Sequence, residues 1–232
     1  MQLVATGWNV QLVTVFTASV EKPRGFALAC QTDKGIAPDV DYMALRRAED
    51  REFCRLAELE NARYWPLFEA PHRGYESAPE LFAGIKAGDE VWREIAAKLR
   101  DCGEFDVIFA PQGLGNHVDH LQLIRAVLAA GLSAKTRWYR DTPYAIRQSD
   151  ALPCPLLPAD LAEIFVPFPT PIIARKVAAC CAYESQIGFQ FGSAIEVARK
   201  LADFHRAEAS LGECLPFAER FLSPPETNFL PL

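Results

Sequence analysis

The chain has 232 residues, half of them apolar and 23% charged, with a formal net charge of −6 and a pI near 5.3. That length suits one α/β domain with a sizeable core, and the composition excludes a disordered chain. The acidic balance argues against a nucleic-acid or anionic-membrane surface, and no apolar run reaches the roughly 18 residues of a spanning helix. The seven cysteines lack C-x-x-C spacing, so neither a disulfide framework nor a zinc ribbon is expected. Cys180 and Cys181, adjacent in the chain, read as small buried helix residues. The opening residues have neither the basic stretch nor the long apolar core of a signal peptide, which makes the cytoplasm the expected location.

Met1 to Ala5 reads as the last turn of a helix stopped by Gly7. The β-branched run from Gln11 to Ala18 is expected to be a buried strand, and residues 19–38 a polar loop. Asp39 or Asp41 caps a helix over about 42–60, whose first half is crowded with charge from Arg46 to Glu52. Tyr64 to Phe68 is a candidate short strand, Glu69 to Tyr75 a loop, and residues 89–101 an amphipathic helix. Val107 to Ala110 forms a buried strand broken by Pro111, Gly113 and Gly115, and the spacing of Leu121, Ile124 and Leu128 then predicts a helix over about 119–130. Thr136 to Tyr139 is the next strand. Residues 147–170 are rich in proline, with a strand at Ile164 to Pro167. Helices over 171–187 and 193–206 precede a tail containing Glu219-Arg-Phe221. This alternation predicts a doubly wound, mainly parallel sheet with helices on both faces. It is read as a single domain over 1–232, less regular from about residue 147.

His117, Asp119 and His120 stand just beyond the carboxyl end of the 107–110 strand, where open α/β sheets bind ligands. They include two of the chain's four histidines. One imidazole of such a group can bind a metal, the other can reach a substrate oxygen, and Asp119 can fix a tautomer. The same pattern also describes a helix start whose histidines are satisfied by hydrogen bonds. There is no G-x-S-x-G elbow, no nearby cysteine nucleophile and no phosphate loop. His72 reads as a loop residue and His205 as a helix-surface residue.

Several motifs in this order resemble the LmbE-like, or PIG-L, family of zinc-dependent de-N-acetylases. They are Leu12 to Thr17, Arg46-Arg-Ala-Glu-Asp50, Ala70-Pro-His-Arg-Gly-Tyr75, Gly115-Asn-His-Val-Asp-His120, Tyr139-Arg-Asp-Thr-Pro-Tyr144 and Tyr183-Glu-Ser-Gln186. The resemblance implies a Rossmann-like fold and a hydrolase that removes acetyl from an N-acetylated amino sugar conjugate of the N-acetylglucosamine type. It implies His120 as a zinc ligand, His117 as the group that polarises the substrate carbonyl, and Asp119 as the residue orienting an imidazole. Arg46, Arg73, Asp141 and Tyr144 match substrate-side positions. The loops at 19–38, 69–88 and 141–160 are expected to set which conjugate is accepted.

The family's first strand ends in a His-Pro-Asp-Asp-Glu stretch that carries two zinc ligands and the catalytic base. No such stretch occurs in the 232 residues. Two explanations are open: a start placed downstream of the true one, or an inactive short form serving as a binding or assembly protein. In either case the 232 residues alone are expected to be nearly inactive and to bind zinc weakly. The missing strand would lie between the strands at 11–17 and 106–110. These are therefore expected to close up and pair, to accept a segment of a second copy in a homo-oligomer, or to aggregate through open edges.

Overall fold

A computed structural model describes residues 1–60, 62–214 and 216–225. The elements are α1 (Gln2–Ala5), β1 (Val13–Thr14), α2 (Gly25–Thr32), α3 (Tyr42–Ala57), β2 (Arg63–Tyr64), α4 (Val91–Asp101), β3 (Ile108–Pro111), α5 (Val118–Ala129), β4 (Thr136–Tyr139), α6 (Tyr144–Arg147), β5 (Ala162–Phe168), α7 (Thr170–Cys181), α8 (Glu184–Phe191), α9 (Ala194–Leu211) and β6 (Phe217–Ser223). The result is a mixed α/β fold with a helix-flanked sheet. No helix among the described residues is long and apolar enough to cross a membrane.

The strands form two separate groups. β1 pairs with β2 in parallel, while a four-stranded sheet runs β3-β4-β6-β5. Within it β3 and β4 are parallel and both pairings of β6 are antiparallel, so the sheet is less parallel than the alternation of elements predicts. The cause is β6, which the tail conceals. Its Glu219 and Arg220 look like solvent-facing charge but pair with Lys176 and Glu208.

β1 and β3 do not close up. Val13, Val15 and Phe16 pack with Trp65, Ile95 and Ala126, whereas Ala110 packs with Leu121, Ile124 and Trp138. Leu99 of α4 and Leu123 of α5 contribute to both clusters, so one helix pair holds the two groups side by side. Direct pairing would pull one strand off its own cluster. A cavity of about 400 Å³ is lined by Leu3, Val10, Phe53, Phe109, Tyr139 and Phe221, among others. Phe109 and Tyr139 are each 37% exposed although they sit on sheet strands.

Three further expectations change. Residues 25–32 form a helix that starts at Gly25 itself, with Phe26, Ala27 and Leu28 outweighing the flanking Pro23 and Gly35. The helix expected over 171–187 breaks at Tyr183 into α7 and α8. His205 is 2% exposed, not on the surface; its Nδ1 lies 2.9 Å from the Ala218 carbonyl. Cys180 and Cys181 are free and half-buried on α7.

Candidate active site

The site is built at the carboxyl end of β3 and β4. After Pro111 the chain turns through Gly113 and Gly115, at φ +75° and +80°. These glycines are required twice over. L side chains rarely adopt such angles, and an added Cβ would lie 2.8 Å from Ile124 at the first position and 2.9 Å from the Tyr144 ring at the second. The tight turn delivers His117 as the N-cap of α5, which Val118, Leu121, Ile124 and Val127 anchor in the core.

The two imidazoles carry their protons oppositely. His117 Nδ1 accepts from the Asp119 backbone N–H at 3.3 Å, so a neutral ring bears its proton on Nε2. His120 Nδ1 meets Asp141 Oδ1, and an ionised carboxylate only accepts, so this ring bears its proton on Nδ1. One ring thus offers a donor and its neighbour an acceptor, with centroids 5.6 Å apart. Burial pushes the His117 imidazole down to about 4, which keeps it neutral at pH 7. Phe82 and Tyr144 stand edge-on and tilted against His117 at 5.4 and 6.4 Å, and Tyr144 lies 5.8 Å from His120. Burial raises the Tyr144 phenol to about 12, so it stays a neutral hydroxyl.

Asp119 does not touch either ring through its carboxylate. Oδ1 accepts from Arg73 at 2.8 Å and Oδ2 from the Ala70 N–H at 3.3 Å. Arg73 also grips Asp89 and donates to the Phe68 carbonyl at 2.6 Å. Burial alone would raise the Asp89 carboxyl, but Arg73 and Tyr75 together hold it below the usual range. Arg73 is therefore a strut beneath the loop that begins the 69–88 segment. Asp141, at the end of β4, is 1% exposed and faces His120 and the Leu114 N–H. A carboxylate so placed orients a ring from inside the protein.

Arg46 lies apart from the histidines. It donates to the Tyr42 hydroxyl at 3.3 Å, sits 3.5 Å from Glu49, and stands 6.0 Å from the centre of the Tyr183 ring. Its neighbours explain the motifs on α3 and α8. Glu49 accepts from the Ser185 N–H and hydroxyl at 2.6 and 2.8 Å, and Asp50 accepts from Tyr183 and Thr14 at 2.8 and 2.7 Å. The buried carboxylates of α3 thus bind α8 and β1 together.

Glu69 joins the two groups and was not singled out by sequence pattern. Burial, then the charge of Asp119, pushes its carboxyl up to about 7, against the opposing pull of Arg46, Lys34 and Arg73. Its position before Ala70-Pro-His-Arg is the only sequence signal for it. The folded state therefore binds a proton at Glu69 that the unfolded chain releases above about pH 4.5, and stability from this group falls as pH rises to 7. His117 and His205, both pushed down to about 4 by burial, act oppositely, lowering stability as pH falls from 6.5. In Glu69→Gln, urea denaturation is expected to show stability rising more steeply with pH between 4.5 and 7 than in the parent. An unchanged slope would mean that Glu69 titrates normally.

Zinc sites take three or four protein ligands. Among the described residues no three His, Cys, Asp or Glu side chains converge as a ligand set, so these residues do not make a zinc site by themselves.

No protein-family model matches the chain. A curated protein, the 2'-N-acetylparomamine deacetylase of Streptomyces fradiae, is 33% identical over 150 residues. That alignment covers 62% of this chain and spans half the length of the relative. Among solved structures, the zinc-inhibited form of teicoplanin deacetylase Orf2 superposes with a TM-score of 0.79 at 23% identity, covering 95% of this chain and 89% of that one. The A40926 pseudoaglycone deacetylase Dbv21 gives 0.75 at 23% identity, covering 96% and 87%. At that identity the structural likeness establishes the fold.

Proposed function

We propose that this site belongs to a hydrolase that removes acetyl from an N-acetylated amino sugar conjugate, with zinc as its metal and His120 as one of the ligands it would need. The observation that carries the proposal is the His117–His120 pair, with an Nε2 donor on one ring beside an Nε2 lone pair on the other at the carboxyl end of the sheet. Amide hydrolysis needs both: a donor for the oxyanion that forms on the carbonyl, and an acceptor facing the attacking side. His117 Nε2–H suits the first role. His120 Nε2 offers its one lone pair on the second side, where it would hold the metal, whose chemistry is to polarise water or a carbonyl, and so would not also take the water's proton. Glu69, poised near 7, can hold or give up a proton at neutral pH. Arg46 and Tyr144 would border the sugar. The relative named for N-acetylparomamine supports the substrate class.

A second reading, a binding or assembly protein without turnover, is favoured by the lack of a three-donor set among the described residues. Acetate release with added zinc separates the two. Acetate release carried by this site is expected to fall about 10²-fold in His117→Ala, the scale for loss of one oxyanion donor. No release with sugar binding retained would establish the second reading. Since no three donors converge among the described residues, turnover is expected to be low; strong zinc-dependent turnover abolished by His120→Ala would reveal donors beyond those described.

A further inference from the structure

We infer that Asp141 is the positioning residue that sets the tautomer of His120 and thereby makes its Nε2 an acceptor. This deepens the proposed function and rests on it only for what that acceptor meets. The obvious candidate from the sequence is Asp119, next to His120, but its two oxygens are committed to Arg73 and the Ala70 N–H. Asp141 comes from 21 residues further along, at the end of β4. Its side chain is wholly buried while that of His120 is about one-third exposed, at 32%. One Asp141 oxygen faces His120 Nδ1, and the other accepts from the Leu114 backbone N–H at 3.2 Å. A single carboxylate therefore fixes both the turn that leads to the histidines and the proton on one of them.

The bond to Leu114 makes the assignment testable. A backbone N–H can only donate, so whatever stands at 141 must offer it an acceptor. Asp does so with one oxygen and keeps the other for a protonated Nδ1. Asn cannot satisfy both in the same way. With its oxygen on the Leu114 N–H, its amide N–H must face His120 Nδ1, and that nitrogen must then be unprotonated. Asp141→Asn should consequently move the His120 proton to Nε2, turning the acceptor into a donor with little change in shape. An Asp→Asn change behind a catalytic histidine has this tautomeric effect in serine proteases.

The experiment is long-range proton–nitrogen correlation NMR on the 15N-labelled full chain, at a pH where His120 is neutral. The expected result is the Nδ1–H tautomer for His120 in the parent, the Nε2–H tautomer in Asp141→Asn, and no change at His120 in Asp119→Asn. An Nε2–H tautomer in the parent overturns the assignment and requires no variant to fold. Retention of Nδ1–H in a folded Asp141→Asn, or a switch in Asp119→Asn, also overturns it. Loss of the proposed deacetylation with these NMR results intact would count against the function alone, since the tautomer is read without substrate or metal.

Discussion

Replacing Arg73 with Met is expected to destabilise the protein by about 3–5 kcal/mol, the scale for leaving buried charge uncompensated. Arg73 is only 10% exposed and lies between Asp89 at 3.2 Å and Asp119 at 2.8 Å, which are 6% and 12% exposed. The fork geometry matters as well as the charge. Three of its nitrogens are used, on Asp89, Asp119 and the Phe68 carbonyl, and its guanidinium lies 4.9 Å from the centre of the Phe16 ring. Tyr75, fully buried, donates to Asp89 at 2.9 Å and receives the Lys86 N–H at 2.9 Å, so losing Arg73 also loosens the loop carrying Phe82. Arg73→Lys should recover part of the loss, since it restores charge without the fork. Urea denaturation measures both; a loss under about 1 kcal/mol for Arg73→Met would place the pair among weak surface bridges.

The second large effect lies away from the histidines. Glu208 of α9 is 4% exposed and holds Arg140 at 3.3 Å and Arg220 at 2.6 Å, themselves 9% and 14% exposed. Burial depresses the Arg140 guanidinium, with Glu208 opposing that shift. Glu208→Gln keeps the shape but leaves two guanidiniums close together, compensated by the half-exposed Glu163 on Arg220 and by the weaker pull of Glu163 and Asp141 on Arg140. The expected loss is about 3–5 kcal/mol. Replacing Glu208, Arg140 and Arg220 together by Leu, Met and Met should recover most of it, because no charge is then stranded. A triple variant as unstable as the single one would show that packing, not charge, sets the penalty.

The parts of the fold governed by local pattern were legible. β4 begins and ends where its β-branched and aromatic residues do, and β3, its glycine turn and α5 follow from an apolar run, two punctuating glycines and helical spacing. Asp41 caps α3 through the Ala44 N–H at 2.9 Å, one of the two caps considered. What stayed hidden depends on distant partners. β6 carries a Glu and an Arg that look solvated until α7 and α9 supply Lys176 and Glu208. His205 sits on a charged helix yet is buried against the Ala218 carbonyl. In the site, spacing brought out His117 and His120, but neighbourhood in sequence pointed to Asp119 as the orienting carboxylate. The strand β4 brings Asp141 instead, and only the fold shows that Arg73 has claimed Asp119.

The most direct measurement is titration of an N-acetylated amino sugar glycoside into the chain labelled with 15N at histidine, with His117→Ala alongside. The expected result is saturable movement of the His117 and His120 ring resonances, with little change at buried His205, and at least tenfold weaker binding in the variant. A folded chain whose His117 and His120 resonances stay fixed at saturating sugar, or whose binding is untouched by His117→Ala, would contradict the placement of substrate at these histidines.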